Sequence, residues 1–341
     1  MVDTAERYRR FAAMEARGHS PAYERLTAAI ADAPPLLALI DQLPADKRQP
    51  NLLLAAVRYL DGPVDGFAAF REWTTAHWAR VRATMLERRT QTNEPGRCSV
   101  LLPVLARLPQ PLALIEVGAS AGLCLYPDRY RYRYDGGDTL GPPDSPVVLE
   151  CGTAGAVPLP ARLPEIAWRA GADLNPLDVA DPRDTRWLEC LVWPEQHQRL
   201  ARLRDAVRIA RAEPPVLVRG DLNETVRDLV AAAPAGATPV VLHSAVLAYL
   251  PPEERETFTA TMRELGCPWI SNEAPGTLPA VDRRLPPGPG PDSLLFTLAL
   301  NEHPLARTGP HGQHLEWLPT QTVPHERQEP RVRPTDRRSV N

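Results

Sequence analysis

The chain has 341 residues, enough for one large domain or two smaller ones, with 43% hydrophobic residues and a formal net charge of −3. That apolar share supports a real core, and the mild negative balance argues against a general binder of polyanions. No apolar run approaches the roughly 20 residues that cross a bilayer, and Val2–Phe11 is charged from its start, without the apolar stretch of a signal peptide.

The five cysteines, Cys98, Cys124, Cys151, Cys190 and Cys267, are scattered and never form a C-x-x-C pair. They read as reduced thiols of a cytoplasmic protein, neither a disulfide framework nor a zinc site. The 39 prolines run at about twice the usual frequency and punctuate the elements.

The first 110 residues read as helical. Tyr8, Phe11, Ala12 and Met14–Glu15 begin one helix, Ser20-Pro21 supplies the N-cap and first position of the next, and Asn51–Leu60 follows Pro50. Phe67–Arg89 is expected as one long amphipathic helix, with Phe67, Phe70, Trp73, Trp78, Val81 and Met85 recurring at helical spacing as core positions. Ser99–Leu108 gives a further short helix.

From Leu112 the pattern changes. Strands are predicted at Leu112–Val117, Ile166–Ala172, Pro215–Arg219, Pro239–His243, Pro268–Asn272 and Leu294–Leu300. Helices are predicted at Pro182–Leu191, Glu195–Arg211, Asn223–Ala232 and Pro252–Leu265. This alternation predicts an α/β fold built on a mostly parallel, doubly wound sheet. Tyr130–Pro160, rich in Gly and Pro, is expected as an inserted hairpin or excursion. The tail from about Pro319 is polar and reads as disordered. The expected organisation is a helical cap region over 1–110, a sheet domain over 111–318 with an insertion near 130–160, and a tail over 319–341.

In a doubly wound sheet, ligands meet the carboxyl ends of the strands. The first strand ends in Glu116 and the small-residue turn Gly118-Ala119-Ser120-Ala121-Gly122, whose glycines suit a loop pressed against a ligand, ahead of a helix N-terminus with unpaired N–H groups. The following strands end in Asp173-Leu-Asn175, Gly220-Asp221-Leu222, His243-Ser244 and Asn272-Glu273. One such end is ordinary helix capping; five together predict a ligand site. A carboxylate at Asp173 can accept both hydroxyls of a ribose, and one at Asp221 an adenine amino group. His243 is a candidate base near neutral pH.

The glycine turn, Asp173, Gly220-Asp221 and His243-Ser244-Ala-Val-Leu resemble the ordered motifs of class I S-adenosylmethionine-dependent methyltransferases over about residues 112–300. Two departures stand out. Ser120 occupies the place of the usual middle glycine, and 57 residues separate Glu116 from Asp173, against roughly 20 in the dinucleotide fingerprint; an excursion over 130–160 accounts for the difference. Almost the whole chain also resembles a bacterial family, domain-of-unknown-function family 2332. The matching phrases include Lys47-Arg-Gln-Pro-Asn51-Leu, Gln91-Thr-Asn-Glu-Pro-Gly-Arg97, Ile115–Leu123, Trp187-Leu-Glu-Cys-Leu-Val-Trp-Pro194, Ser271-Asn-Glu-Ala-Pro275 and Pro310-His-Gly312. Pro127 stands where that family has a longer helical stretch, so the helix after the turn is expected to be short.

These resemblances imply a Rossmann-like methyltransferase-type domain with S-adenosylmethionine over Glu116, Gly118, Ala119, Ser120 and Gly122, Asp173 on the ribose, and Asp221 with Leu222 toward the adenine. The acceptor, a small molecule rather than nucleic acid or membrane, is expected near Asn93, Arg97 and Glu273, with His243 and Glu94 as candidate catalytic groups. The polar loop Arg88–Arg97 supplies several of these, and it equally suits a solvated helix–helix connection. Two alternatives remain. One is a non-catalytic nucleoside binder of the same fold. The other is a serine hydrolase, because Gly118-Ala-Ser120-Ala-Gly122 also reads G-x-S-x-G, with Ser120 as nucleophile and Glu273 and His303 or His311 as partners. No metal is expected, since His311 and His314 lack a third ligand.

Overall fold

The computed structural model describes residues 3–286 and 295–319. The predicted tail beyond 319 and the first residue of the predicted strand at Leu294 lie outside the described residues.

The amino-terminal third is helical, as its periodicity indicates. Helix α1 (Thr4–Arg10) runs on through a π-helical turn at Phe11–Ala16, followed by α2 (Pro21–Ala31), α3 (Pro34–Ile40), α4 (Pro50–Tyr59), α5 (Phe67–Ala76), α6 (Trp78–Glu87) and α7 (Cys98–Leu105). Ser20 caps α2: its Oγ accepts the Tyr23 N–H at 3.2 Å, with Pro21 in the first turn. The stretch expected as one helix from Phe67 to Arg89 is two. His77 leaves the helical region at φ −108°, ψ 17°, stacks its ring on Trp73 at 4.3 Å, and brings Nδ1 to the Trp73 carbonyl at 2.8 Å. Phe70, Val81 and Met85 are nonetheless buried, as the stripe requires.

The rest of the chain is mixed. Its strands are β1 (Leu112–Val117), β2 (Arg131–Tyr134), β3 (Thr139–Leu140), β4 (Val148–Ala154), β5 (Ile166–Asp173), β6 (Val216–Arg219), β7 (Thr238–Ser244), β8 (Trp269–Glu273), β9 (Phe296–Leu300), β10 (His303–Thr308) and β11 (His314–Trp317). Its helices are α8 (Pro182–Leu191), α9 (His197–Ala212), α10 (Leu222–Ala231), α11 (Pro252–Leu265) and the single turn α12 (Pro279–Asp282). The strands form one mostly parallel sheet in the order β3-β2-β4-β11-β10-β9-β8-β7-β1-β5-β6. The block β6-β5-β1-β7-β8 is parallel throughout, and β9 runs antiparallel to β8.

The segment expected as an inserted hairpin or excursion holds an antiparallel hairpin, β2 with β3, and is part of this sheet. Strands β2, β3 and β4 extend its far edge, joined through a parallel pairing of β4 with β11 that sets Gly152 opposite His314. The pairing is long-range, so the local Gly and Pro content of 130–160 carries no trace of it.

Successive residues of β1 point to opposite faces. Leu112 and Leu114 join one buried cluster with α2, α4, α7 and α9, whereas Ile115 and Val117 join another with Leu229, Phe258 and Met262. The sheet is thus covered on both faces, as a parallel sheet requires. Among the described residues, no helix is long and apolar enough to cross a membrane. All five cysteines are free and buried.

Candidate functional site

Strand β1 has β5 on one side and β7 on the other. Connections leaving its carboxyl end therefore diverge to the two sides and open a crevice there. A cleft of about 360 Å³ occupies this place, within the range of about 300–1,000 Å³ usual for small-ligand sites. Gly118 and Ser120 line it from the end of β1, Ala172–Leu174 from β5, Gly220–Leu222 from β6, and Ser244–Val246 with Tyr249 from β7. The helical region closes it with Asp46, Lys47, Gln49, Leu52, Arg89–Thr92 and Arg97. Of the residues singled out from sequence, the cleft gathers Gly118, Ser120, Asp173, Asp221, Leu222 and Arg97. It does not gather Glu116, Ala119, Gly122, Asn93, Glu94, His243 or Glu273.

The turn after β1 is held from within. The N–H groups of Gly118 and Ala119 donate to the Ala172 carbonyl at 2.8 and 3.1 Å, and that of Gly122 to the Ala119 carbonyl at 2.7 Å. Ser120 N–H donates to Asp173 Oδ2 at 2.8 Å, while Ala121 and Leu123 N–H both donate to Asn93 Oδ1 at 3.3 Å. Every amide from 118 to 123 has an acceptor. The expected helix N-terminus with unpaired donors does not form. Leu123–Leu125 is one 3-10 turn, and Pro127, with no N–H to offer, ends it.

Gly118 has φ +70°, and a Cβ there would collide with the Val246 side chain, so only glycine lets the β1 and β7 loops meet. Two non-glycine residues lining the cleft also adopt left-handed backbone, Ser120 at φ +53° and Ala245 at φ +57°. Strain of this kind concentrates at functional sites.

Asp173 is the hub of the cleft. Besides the Ser120 amide, its Oδ1 accepts the Asn175 N–H at 2.7 Å and Gln91 Nε2 at 3.4 Å, and Gln91 reaches on to the Asn175 carbonyl at 2.8 Å. Asp221 is the N-cap of α10, its Oδ1 accepting the Asn223 N–H at 2.8 Å. It caps a helix and lines the cleft at once.

Two expectations about β7 and β8 need correction. His243 is fully buried beneath α11, edge-on to Phe258 at 5.6 Å. Trp269 Nε1–H donates to its Nε2 at 2.9 Å, and its Nδ1 lies 2.7 Å from Glu273 Oε1. An indole N–H can only donate, so Nε2 is the acceptor and the ring proton sits on Nδ1, directed at Glu273. Both nitrogens are engaged, which leaves none for substrate. Glu273 is equally occupied: Oε1 also accepts the N–H groups of Val246 at 2.9 Å and Leu247 at 3.2 Å. It is a clamp on the loop that carries Ala245 and Val246, not an acceptor-binding group.

The loop from Arg88 to Arg97 divides its residues between the two sides of the chain. Arg97 is buried and lines the cleft, Nη1 donating to the Ser244 carbonyl at 2.8 Å and Nε to the Pro310 carbonyl at 3.0 Å. Glu94 instead points toward α9, pairing with Arg199 at 2.7 Å and Arg202 at 3.1 Å and accepting the Gly96 N–H at 3.0 Å. Burial opposes its charge, but Arg199, Arg202 and His311 hold the carboxylate below its usual range. It therefore has no access to a ligand in the cleft and serves as an ion-pair anchor. His311 shares that pocket, where burial and Arg199 bring its imidazole down to about 3. Asn93 is a clamp for the turn.

Glu116 faces the side of Leu112 and Leu114 and is buried, with Oε2 lacking any hydrogen-bond partner. Burial, then the Cys124 thiol, push its carboxyl well above the usual carboxylate range, against the pull of Arg97. Ser120 Oγ is also buried without a partner. The imidazoles a hydrolase would need are elsewhere, His303 on the Asn301 carbonyl at 2.8 Å and His311 beside Glu94. Among the described residues, no group of three or more His, Cys, Asp and Glu side chains could hold a metal ion.

Lys47, Arg89, Gln91 and Tyr249 were not singled out from sequence as site residues, yet they line the cleft. Lys47 and Gln91 each open a phrase shared with the bacterial family, and Arg89 and Gln91 also belong to the polar loop Arg88–Arg97.

The chain matches, over residues 5–317, the family described as uncharacterized protein conserved in bacteria, domain-of-unknown-function family 2332, and it belongs to that family. No curated protein and no solved structure matches it.

Proposed function

We propose that this family member is an S-adenosylmethionine-dependent methyltransferase of Rossmann-like fold, acting on a small-molecule acceptor. Counted from β1, the parallel block reads 3-2-1-4-5, the arrangement of doubly wound sheets, and the cleft lies at its switch point. The observation that carries the reading is the meeting of Asp173, Asp221 and the glycine turn around that one cleft.

The turn itself favours this ligand over a dinucleotide. A pyrophosphate is recognised by free backbone N–H groups, and here all six amides from Gly118 to Leu123 are consumed internally. A nucleoside joined to an amino acid asks for side-chain acceptors and donors instead. Asp173 retains lone pairs for ribose hydroxyls, Asp221 Oδ2 remains available to an amino group, and the Ser120 hydroxyl is a buried group without a partner.

When bound, the cofactor supplies an activated methyl group. The chain's part is positioning: Asp173 and Asp221 fix one end of the ligand, and Gln91, hydrogen-bonded to Asp173, lines the cleft from the helical side. Methyl transfer by alignment of donor and acceptor needs no resident base, which agrees with the burial of His243 and the pairing of Glu94 away from the cleft.

Calorimetry with S-adenosylmethionine and S-adenosylhomocysteine tests the reading. Saturable binding of both is expected, weakened in Asp173→Asn; absence of both from well-folded protein ends it. Binding without turnover across an acceptor panel favours the non-catalytic nucleoside binder.

A further inference from the structure

The cleft has two unlike walls. The strand ends and α11 contribute the carboxylates Asp173, Asp221 and Glu254, while the helical region contributes the cations Lys47, Arg89 and Arg97 beside the carboxylate Asp46. Among the described residues, neither Lys47 nor Arg89 makes an ion pair. Lys47 is buried, and its Nζ donates to the Arg88 carbonyl at 2.7 Å, which uses one of three donors and neutralises nothing. Burial lowers the Lys47 pKa, Arg89 lowers it further, and the exposed Asp46 on the same turn restores only part. The Arg89 guanidinium makes no ion pair or hydrogen bond among the described residues. Beside it, Thr90 Oγ1 is buried without a partner and its residue lines the same cleft.

Lys47 and Arg89 line the same wall, Arg89 adding to the lowering of the Lys47 pKa, and the unpartnered Thr90 hydroxyl next to Arg89 in the chain can donate to an anion. A like-charge pair with one member desolvated is costly until an anion lies between the two. We infer that the methyl acceptor is a small organic anion whose carboxylate, phosphate or sulfate group is seated by Lys47, Arg89 and Thr90. This rests on the methyltransferase reading for the role of acceptor, but the anion seat itself does not. It sits on the helical side of the cleft whose strand ends carry Asp173 and Asp221. An acceptor so held presents its body to the nucleoside end of the cleft, past Leu174 and Tyr249, two of the large hydrophobic side chains left exposed.

The test uses inorganic sulfate as probe, titrated into the full chain at constant ionic strength by calorimetry, with and without saturating S-adenosylhomocysteine. Saturable sulfate binding is expected in both conditions, weakened about tenfold in Arg89→Met and in Lys47→Met, as befits one lost charge-assisted contact. S-adenosylhomocysteine affinity should change less than about twofold in either variant, well under the tenfold step of one such contact. Arg89 is exposed, so its variant guards against a Lys47 variant that fails to fold. No saturable sulfate binding, or binding indifferent to Arg89→Met, overturns the seat. Displacement of sulfate by S-adenosylhomocysteine assigns the seat to the cofactor's own carboxylate and overturns the acceptor assignment. Sulfate binding without S-adenosylhomocysteine binding overturns the methyltransferase reading and leaves the anion seat standing.

Discussion

The carboxylate of Asp173 accepts the backbone N–H of Ser120 at 2.8 Å, so the end of one strand holds the loop of its neighbour in left-handed backbone. The same group that lines the cleft also shapes it. Any ligand held by Asp173 would thereby be coupled to the order of the loop.

Asp173→Ala leaves the Ser120 and Asn175 amides without their acceptor. Hydrogen bonds to charged groups contribute about 1.5–3 kcal/mol each; because this site is partly open to water, a total loss of about 1–3 kcal/mol in denaturant unfolding is expected. S-adenosylhomocysteine affinity should fall at least about tenfold, the equivalent of one such bond. A variant that loses stability but binds unchanged would refute the ribose role while leaving the loop role intact.

Gly118→Ala meets two obstacles, the positive φ and the Val246 side chain. Left-handed backbone costs a residue with a Cβ roughly 1–2 kcal/mol, and the overlap about 1–3 more. Val246→Ala in the same chain should return the second part and not the first. Urea unfolding of the single and double variants checks this; full additivity of the two losses would show that the loops do not meet as described.

His243→Leu separates packing from chemistry. It leaves the Trp269 N–H and the Glu273 carboxylate without their buried partner, and each orphaned group costs about 1–3 kcal/mol, more when charged. The expected result is a large drop in thermal stability, with S-adenosylhomocysteine affinity of the folded fraction unchanged. A stable variant that has lost only its turnover would restore His243 as a base.

Glu116 and Glu94 give opposite pH dependences. The raised Glu116 carboxyl keeps a proton in the folded state that the unfolded chain releases above about pH 4.5, so this residue makes stability fall as pH rises. Glu116→Gln should therefore gain on the wild type between about pH 5 and pH 7, by at most about 1.4 kcal/mol per pH unit. Glu94 is held low, so its contribution is present above its unfolded value near 4.5 and is lost as pH falls through the lower folded one. The advantage of wild type over Glu94→Gln should shrink on acidification. Stability curves from denaturant unfolding between about pH 3 and pH 7 decide both signs.

Much was legible in local patterns. Ser20-Pro21 began a helix, the bounds of α8 and α11 followed from proline and periodicity, and the strands from β5 to β9 began or ended within a residue or two of their expected limits. The glycine turn and the Asp173 and Asp221 strand ends were visible as well, because capping and tight turns are decided by a few neighbouring residues. The β2–β4 edge was not visible, since β4 finds its partner β11 about 160 residues away and nothing nearby encodes the pairing.

What the sequence determined by itself was which strands end in hydrogen-bonding groups. Which of those ends face the cleft was decided by the tertiary structure. His243 shares the face of Val241, and the packing of Phe258 and Trp269 on that face makes it interior. Asp173 looks to the other side, toward the turn and the helical region. Side chains alternate along a strand, but only register and the covering layer say which alternate is buried. The same holds for Lys47 and Arg89, far from the strand ends in the chain, which become one wall of the cleft once the helices fold over the sheet.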